Sequence, residues 1–558
     1  MSSTARSRSS TPSASTPFST TYELKLALPR NNHDEVRSFR FFLDVTAPSL
    51  SGVFDSEFWN GDIPRTCHAD SAMWHAVVCL GAVYESYAST TWGCTTILPR
   101  KVPEKSEFAL RQFNLAIKHL LNAAHRGEDK WRALAASILF TCICSIQGLH
   151  GEARVHLAAG RNLLDELDTE NTKLYSQGSG QKPSYSSAHA AVPIPLGSLR
   201  PIVTTLDLHA RALSNGPLVY KLESLPANDS YTVWRYYQPP PLADENPNTV
   251  SARGPGSWQY LTGENLVKAN RAAESLFNGI LLAQAESVDD IAALTTQAAT
   301  DKLEMLSTRQ APYKRCYANL TTALHAFTEE MEGRSKQVSD SSGASQSLTR
   351  AYLTFKVYHS CIRLFFFNDP EMPELRLDPA KMSAYHKDIL DLVERILQLG
   401  SPRSSSFIPV PSTTQPLSIV AMSGIPQSNR RRATALLRRY PRREGLWDTM
   451  FAAALSDLIM DREKEILAER RESGARAAAA AAAAASADAN ASSGKSRGAE
   501  KEEEVEKKEN DDEEIVEVLD RQYGTRVVFK GERRAEVRLC TWREWMAGQP
   551  GKTRLLEW

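Results

Sequence analysis

Between Ser106 and Leu167, apolar residues recur at three- and four-residue steps in three successive waves. Leu110, Phe113, Ile117, Leu120, Leu121 and Ala124 form the first stripe, the pattern of an amphipathic helix. Gly127-Glu128-Asp129 interrupts it, and Asp129 is placed to cap the helix that follows. A wider stripe comes next: Trp131, Leu134, Ala135, Ile138, Leu139, Cys142, Ile143 and Ile146 predict a more deeply buried helix. After Gln147-Gly148, the residues Ala153, Leu157, Gly160, Leu164 and Leu167 carry the third wave. Small Ala158, Ala159 and Gly160 would let this helix approach its neighbour closely. Three amphipathic helices joined by short turns bury their faces against one another, so this stretch predicts a helical scaffold.

The same period governs most of the remaining chain. Phe41, Phe42, Phe54, Phe58 and Trp59 are large anchors ahead of a helix over 72–87, whose face carries Met73, Ala76, Val77, Leu80 and Tyr84. Residues 192–214 predict another helix, with Leu199, Ile202, Val203, Leu206 and Leu208 apolar. Further helices are expected over 264–284, 287–304, 314–332, 348–367 and 381–399. Residues 175–191 are Ser/Gly/Gln-rich and read as a surface loop. In the proline-rich stretch 215–260, Trp234-Arg235-Tyr236-Tyr237 reads as packing under a long loop in preference to a stacking surface for bases or sugars. The predicted fold class is all-α, a multi-helix bundle or irregular solenoid of antiparallel helix pairs. The absence of a strict 34-residue period disfavours a tetratricopeptide array.

Composition divides the chain further. Residues 1–38 open with a Ser/Thr/Pro-rich stretch expected to be disordered; its early prolines argue against a mitochondrial transit helix. Residues 39–470 form the helical body, and 471–515 an alanine-rich, then acidic, low-complexity linker. Lys501–Glu514 holds nine acidic and three basic residues, a local net charge of −6, and reads as an acidic interaction tail. In 516–558, Arg526–Phe529 and Ala535–Cys540 flank Gly531 and predict a small hairpin, with Trp542, Trp545 and Trp558 available to anchor it on the body.

Charge and ligand chemistry exclude several function classes. Lys+Arg and Asp+Glu are both 66, so no global field draws the chain to nucleic acid or acidic lipid. Eight cysteines, several of them inside apolar runs, suggest buried thiols in a reducing compartment. No apolar run reaches the roughly 18 residues of a membrane span, and a soluble intracellular protein is expected. Cys67, His68, His75 and Cys79 have metal-ligand chemistry, yet no CxxC or HxxxH supports a site. Cys142 and Cys144 are two apart and point to different sides of a helix. Asp511, Asp512, Glu513 and Glu514 lie in a solvated charge run. Gly548, Gly551 and Lys552 are spaced too closely for a phosphate loop. No catalytic residue, no metal and no cofactor is therefore expected, and an enzyme is disfavoured.

The most specific stretch is Ser428–Ile466. Arg430, Arg431, Arg432, Arg438, Arg439, Arg442 and Arg443 crowd into it, followed by Glu444, Gly445, Leu446, Trp447 and Asp448 after Pro441. Pro441 and Gly445 punctuate what reads as a tight helix–helix connection, with Leu446 and Trp447 as core anchors. The arginines form a candidate nuclear-import or phosphate-contacting patch. The competing reading weighs more: Arg432, Arg439 and Arg443 pair with acids of neighbouring helices and fix the fold.

Three stretches together carry a resemblance. Trp74, His75, Ala76, Val77, Val78, Leu80, Gly81 and Ala82; the buried helix ending at Gln147-Gly148; and Pro441-Arg442-Arg443-Glu444-Gly445-Leu446-Trp447-Asp448 occur in a familiar order. The chain from about Phe39 to Ile466 resembles the regulatory domain of fungal transcription factors of the binuclear zinc-cluster family. That resemblance implies a nuclear domain that receives signals or contacts from other transcription-regulatory proteins. The family's six-cysteine module cannot be carried over, because no CxxC occurs in the sequence, and its zinc ions are not expected. Either a preceding segment supplies that module or the chain is a cluster-less relative that reaches DNA only indirectly. A cytosolic helical scaffold that binds peptides is the alternative of a different class.

Overall fold

The computed structural model describes residues 32–52, 56–89, 103–124, 130–176, 194–214, 317–333, 343–365, 379–399, 406–409, 413–423 and 426–491, parts of 265–277, and most of 522–558. The fold is all-α, and among the described residues the only sheets are two small three-stranded ones. The short helices α1 (His33–Phe41) and α3 (Ile63–Ala69) and the π-helical turn at Phe42–Thr46 pack on the central α4 (Ser71–Ala88), while α2 (Ala47–Ser51) packs on that turn and on the π-helical turn at Phe58–Asp62. Asp70 starts α4 by accepting from the backbone N–H of Ala72 at 2.7 Å and of Met73 at 3.1 Å. From Ala72 to Tyr84 every side chain of α4 is buried, so this helix is core on all sides. The same holds for α6 (Lys130–Gln147), buried from Leu134 to Ile146.

α5 (Pro103–Ala124) pairs with α4, and α7 (His150–Ser176) with α6. The inner face of α5 differs from its apolar stripe. Leu110 and Leu121 are 59% and 58% exposed, while Ala109, Gln112 and Ala116 face inward beside half-buried Phe113, Ile117 and Leu120. Small alanines permit the close approach to α4, and Gln112 replaces its water by bonding His75 Nδ1 at 2.6 Å and Glu35 Oε1 at 3.0 Å. On α7 the predicted inward set holds: Ala153, Leu157, Gly160, Leu164 and Leu167 are buried. Ala158 and Ala159 face solvent, so the close approach rests on Gly160 alone, where a Cβ would lie 2.2 Å from Ser137 Oγ of α6.

α8 (Leu196–Ser214) covers α7, with Leu199, Ile202, Val203 and Leu206 inward. Helical residues at 265–277 (α9) and 317–333 (α10) precede α11 (Gly343–Phe365), which begins inside the Ser/Gly stretch, and α12 (Pro379–Gln398). Then come α13 (Thr414–Ser423), α14 (Gln427–Arg439) and the 43-residue α15 (Thr449–Ala491). The alanine run continues α15 without a break, with every side chain exposed from Arg471 to Ala483.

One strand element departs from the helical expectation, and another extends the expected hairpin. Pro441–Gly445 does not join two helices directly: β2 (Arg442–Glu444) and β3 (Trp447–Asp448) form a ribbon, and β1 (Ser406–Ile408) runs parallel to β2. Gly445, with φ at 57°, closes the turn in a left-handed conformation and donates to Ile408 O at 2.7 Å. The expected C-terminal hairpin is present as β4 (Gln522–Gly531) and β5 (Arg534–Thr541), and a third antiparallel strand, β6 (Lys552–Glu557), extends it. Gly551 starts that strand with its Cα so near β5 that a Cβ would lie 2.1 Å from Leu539 O. Phe54, Asp129, 215–260, 287–304, Lys501–Glu514, Trp542 and Trp545 lie outside the described residues.

Candidate functional site

The Arg442–Asp448 ribbon is the point where distant parts of the chain meet. Alternation along β2 places Arg443 on one face, opposite Asp448, and Arg442 and Glu444 on the other, with Trp447 beside Glu444.

The Arg443 face reaches the end of α6. There Gly148, with φ at 78°, ends the helix: its N–H bonds Ser145 O at 3.1 Å, and Leu149 N bonds Cys144 O at 2.9 Å. Arg443 completes the terminus by donating from Nη1 to Ile146 O and, at 3.3 Å, to Ser145 O. Its Nε donates to Asp448 Oδ2 at 3.0 Å, and its guanidinium lies 5.5 Å from the Tyr87 ring of α4. Asp448 in turn caps α15 through the N–H of Met450 at 2.8 Å and of Phe451 at 3.3 Å. One buried arginine therefore links α4, α6 and α15.

The opposite face holds Glu444, which is fully buried. Its carboxylate accepts from Thr413 Oγ1 at 2.7 Å and from the N–H of Thr413 and Thr414 at 3.1 and 2.9 Å, which caps α13. Arg442 lies 3.8 Å from it and donates to Thr413 Oγ1 at 3.2 Å.

A third contact leads to the C-terminal sheet. His150, at the start of α7, stacks on Phe529 of β4 with centroids 4.2 Å apart. Phe451 of α15 touches both Phe529 and Trp558, at 5.5 and 4.8 Å. Arg462 with Glu544, Lys552 with Glu469 and Arg554 with Glu465 rim this contact, at 3.0, 2.9 and 2.8 Å. Burial first, and then the nearby Arg443 charge, push the His150 imidazole down to about 4.

The assembled part N-terminal to the ribbon now coincides with a known sequence family. Residues 37–213 match the Fungal specific transcription factor domain. The resemblance read from the sequence is thus shown for this segment, which contains α4, α6, α7 and the Arg443 acceptors Ser145 and Ile146. The Fungal specific transcription factor domain is a domain of transcription regulators and not an enzyme family. No curated protein matches the chain, and no solved structure does.

The seven arginines do not form one free basic patch. Arg430 is buried against Glu463, and Arg432 bridges Asp391 and Glu394 of α12 at 2.6 and 2.7 Å. Arg438 meets Asp457 of α15, while Arg439 is 3.9 Å from Glu394 and lies over Tyr440 at 5.5 Å. Arg431 faces solvent and donates to Gln427 Oε1 at 3.0 Å. Pro441 joins α14 to the ribbon, and Leu446 and Trp447 are buried at its turn.

No group of three or more metal-ligating side chains converges among the described residues. The six described cysteines are buried free thiols, and burial pushes the Cys144 thiol up to about 12. Tyr87, Ser145, Ile146, His150 and Thr413 take part in the junction without any signal in the sequence. Their roles depend on contacts distant in sequence, from 31 residues for Thr413 and Glu444 to 298 for Ser145 and Arg443.

Proposed function

We propose that the chain is a nuclear transcription regulator that acts through its helical body, which other transcription-regulatory proteins contact. The observation that carries this reading is the family match over 37–213. The Arg443 clamp supports extending it, because it makes the matched segment and the 440–448 motif parts of one packed body. On this reading DNA is reached indirectly through partners or through a preceding segment that supplies the zinc cluster, since no CxxC is present in the sequence. Arg431 and Arg439, the most solvent-facing of the arginines, are those open to an import receptor; the rest hold helices together.

The test is a reporter assay. Residues 39–558 fused to a foreign DNA-binding domain are expected to change transcription from its target promoter several-fold. Activity no different from that of the foreign domain alone overturns the proposal. So does exclusion of the tagged full chain from the nucleus.

A further inference from the structure

We propose that the chain pairs with a second copy of itself through the outer edge of β6, antiparallel about Leu555, so that two three-stranded C-terminal sheets join into one. β4 and β6 are the edges of that sheet, and they differ. β4 carries register shifts at Gln522/Gly524 and Phe529/Gly531, irregularities that spoil an edge for further pairing, and it packs beside α8. β6 pairs with β5 without a shift from Lys552 to Glu557 and holds no proline.

One hydrogen bond fixes which main-chain groups of β6 point outward. Trp558 N–H donates to Arg533 O at 3.2 Å, one step beyond the pairing of Arg534 with Glu557. Hydrogen-bonded pairs alternate along an antiparallel ladder, so Lys552, Arg554 and Leu556 turn their N–H and C=O towards β5. Thr553, Leu555 and Glu557 turn theirs away, and among the described residues no strand lies beyond them. All three side chains are exposed, Leu555 by 52%. They lie opposite Arg538, Glu536 and Arg534 of β5, so Leu555 is a large apolar residue at the rim of a charged face.

The outward groups call for an extended strand, and the side chains select a second β6. Outward residues must meet outward residues, so the registers of an antiparallel pair about a two-fold axis differ by shifts of two. Centred on Arg554, two guanidiniums oppose each other; centred on Leu556, Leu555 opposes the Glu557 carboxylate. Centred on Leu555, Leu555 meets Leu555 of the second copy, Thr553 meets Glu557 and Arg554 meets Leu556, with no like charges opposed. Lys552 and Arg554 are already paired with Glu469 and Glu465 of α15 on the other face. There Phe451 of α15 touches both Phe529 of β4 and Trp558 of β6, so the helix lies beneath the sheet. Three strands spaced about 4.8 Å apart span about 14 Å, room for one helix of about 10–12 Å in each copy. The inference goes beyond the regulatory reading and stands without it, because mass is measured independently of transcription.

The experiment is light scattering on the full chain from about 1 to about 100 µM, joined to hydrogen exchange at both ends of that range. The unaltered chain is expected to reach the mass of a dimer, with exchange at 553–557 slowing as concentration rises. Leu555→Pro removes an outward N–H that β5 does not use, and Leu555→Lys sets two ammonium groups against each other across the two-fold axis. Each is expected to weaken association about tenfold or more. A monomer over the whole range overturns the proposal. So does a dimer that forms without slower exchange at 553–557, or one that Leu555→Lys leaves at full strength. Leu555→Lys alters only an exposed side chain and keeps the test decisive even if Leu555→Pro fails to fold.

Discussion

Arg443 and Ile146 are 297 positions apart in the chain, and the guanidinium of the first donates to the main-chain carbonyl of the second. The contact is possible because Gly148 turns the chain out of α6 and leaves that carbonyl unclaimed by the helix. The same guanidinium holds Asp448 at 3.0 Å. Arg443→Met would strip the buried Asp448 carboxylate of its cation and the Ile146 carbonyl of its side-chain donor, at a cost of about 3–5 kcal/mol. Urea unfolding should show this as a lowered midpoint. Arg443→Met/Asp448→Asn should lose less than the two single variants summed, since the single Met variant strands a charge that the double variant removes. Additive losses would dissolve the clamp.

Glu444 offers a parallel case with a different outcome. Glu444→Gln keeps the shape but removes the charge that faces Arg442, and an amide can satisfy only part of the three bonds now accepted from Thr413 and Thr414. The loss should be about 2–4 kcal/mol, with hydrogen exchange fastest at the start of α13. Protection unchanged at 414–418 would show that the cap is dispensable.

Acid should loosen the molecule through two histidines. Burial and neighbouring arginines hold both His150 and His359 at about 4, below the ordinary value of 6.5. Each is neutral in the fold and binds a proton more readily once unfolded. Their stabilising effect is therefore complete above about pH 6.5 and falls away as the pH drops towards 4. His150→Phe retains a ring against Phe529 and cannot titrate, so its stability should fall less steeply over that window. Parallel pH profiles for the two proteins would contradict this.

The C-terminal sheet should detach before the body unfolds. Trp558 is only half-buried and meets the body mainly through Phe451, at 4.8 Å. Trp558→Ala should cost about 1–3 kcal/mol of docking, and limited proteolysis should then release 522–558 while 33–89 stays protected. Simultaneous cleavage of both regions would show that the sheet is integral to the core.

Much of the helical body was legible because burial repeats with the helix period: Leu134 to Ile146 and Ala153 to Leu167 fall where their apolar stripes put them. The misreadings share a cause. At Leu110 and Leu121 apolar character pointed inward, but α5 approaches α4 through small Ala109 and Ala116 and a bonded Gln112. At Pro441–Gly445 the strand exists because β1, more than 30 residues earlier, supplies its hydrogen-bonding edge. β6 likewise needs β5 beside it. The arginines were recognisable as a cluster, and pairing with acids of other helices was foreseeable for Arg432. The clamp of Arg443 on α6 was not, since a main-chain carbonyl leaves no mark on the sequence.

Gly160 shows how one atom can decide a helix pairing. Alanine at this site improves intrinsic helix propensity by about 1 kcal/mol, so an isolated α7 would gain from Gly160→Ala. In the fold the new Cβ would lie 2.2 Å from Ser137 Oγ and 3.2 Å from Ser137 Cβ, within the α6–α7 contact. The hydroxyl is held in place by its bond to Leu134 O at 2.7 Å, so it cannot simply swing aside. Overpacking of about 1–3 kcal/mol should outweigh the propensity gain, and Gly160→Ala should lower Tm. Ser137→Ala removes the nearer atom and leaves a contact that small shifts accommodate. The pair Ser137→Ala/Gly160→Ala should recover most of the loss, and it can exceed the original Tm if the helices relax by a few tenths of an ångström. Equal destabilisation with and without Ser137→Ala would place the constraint elsewhere than this contact.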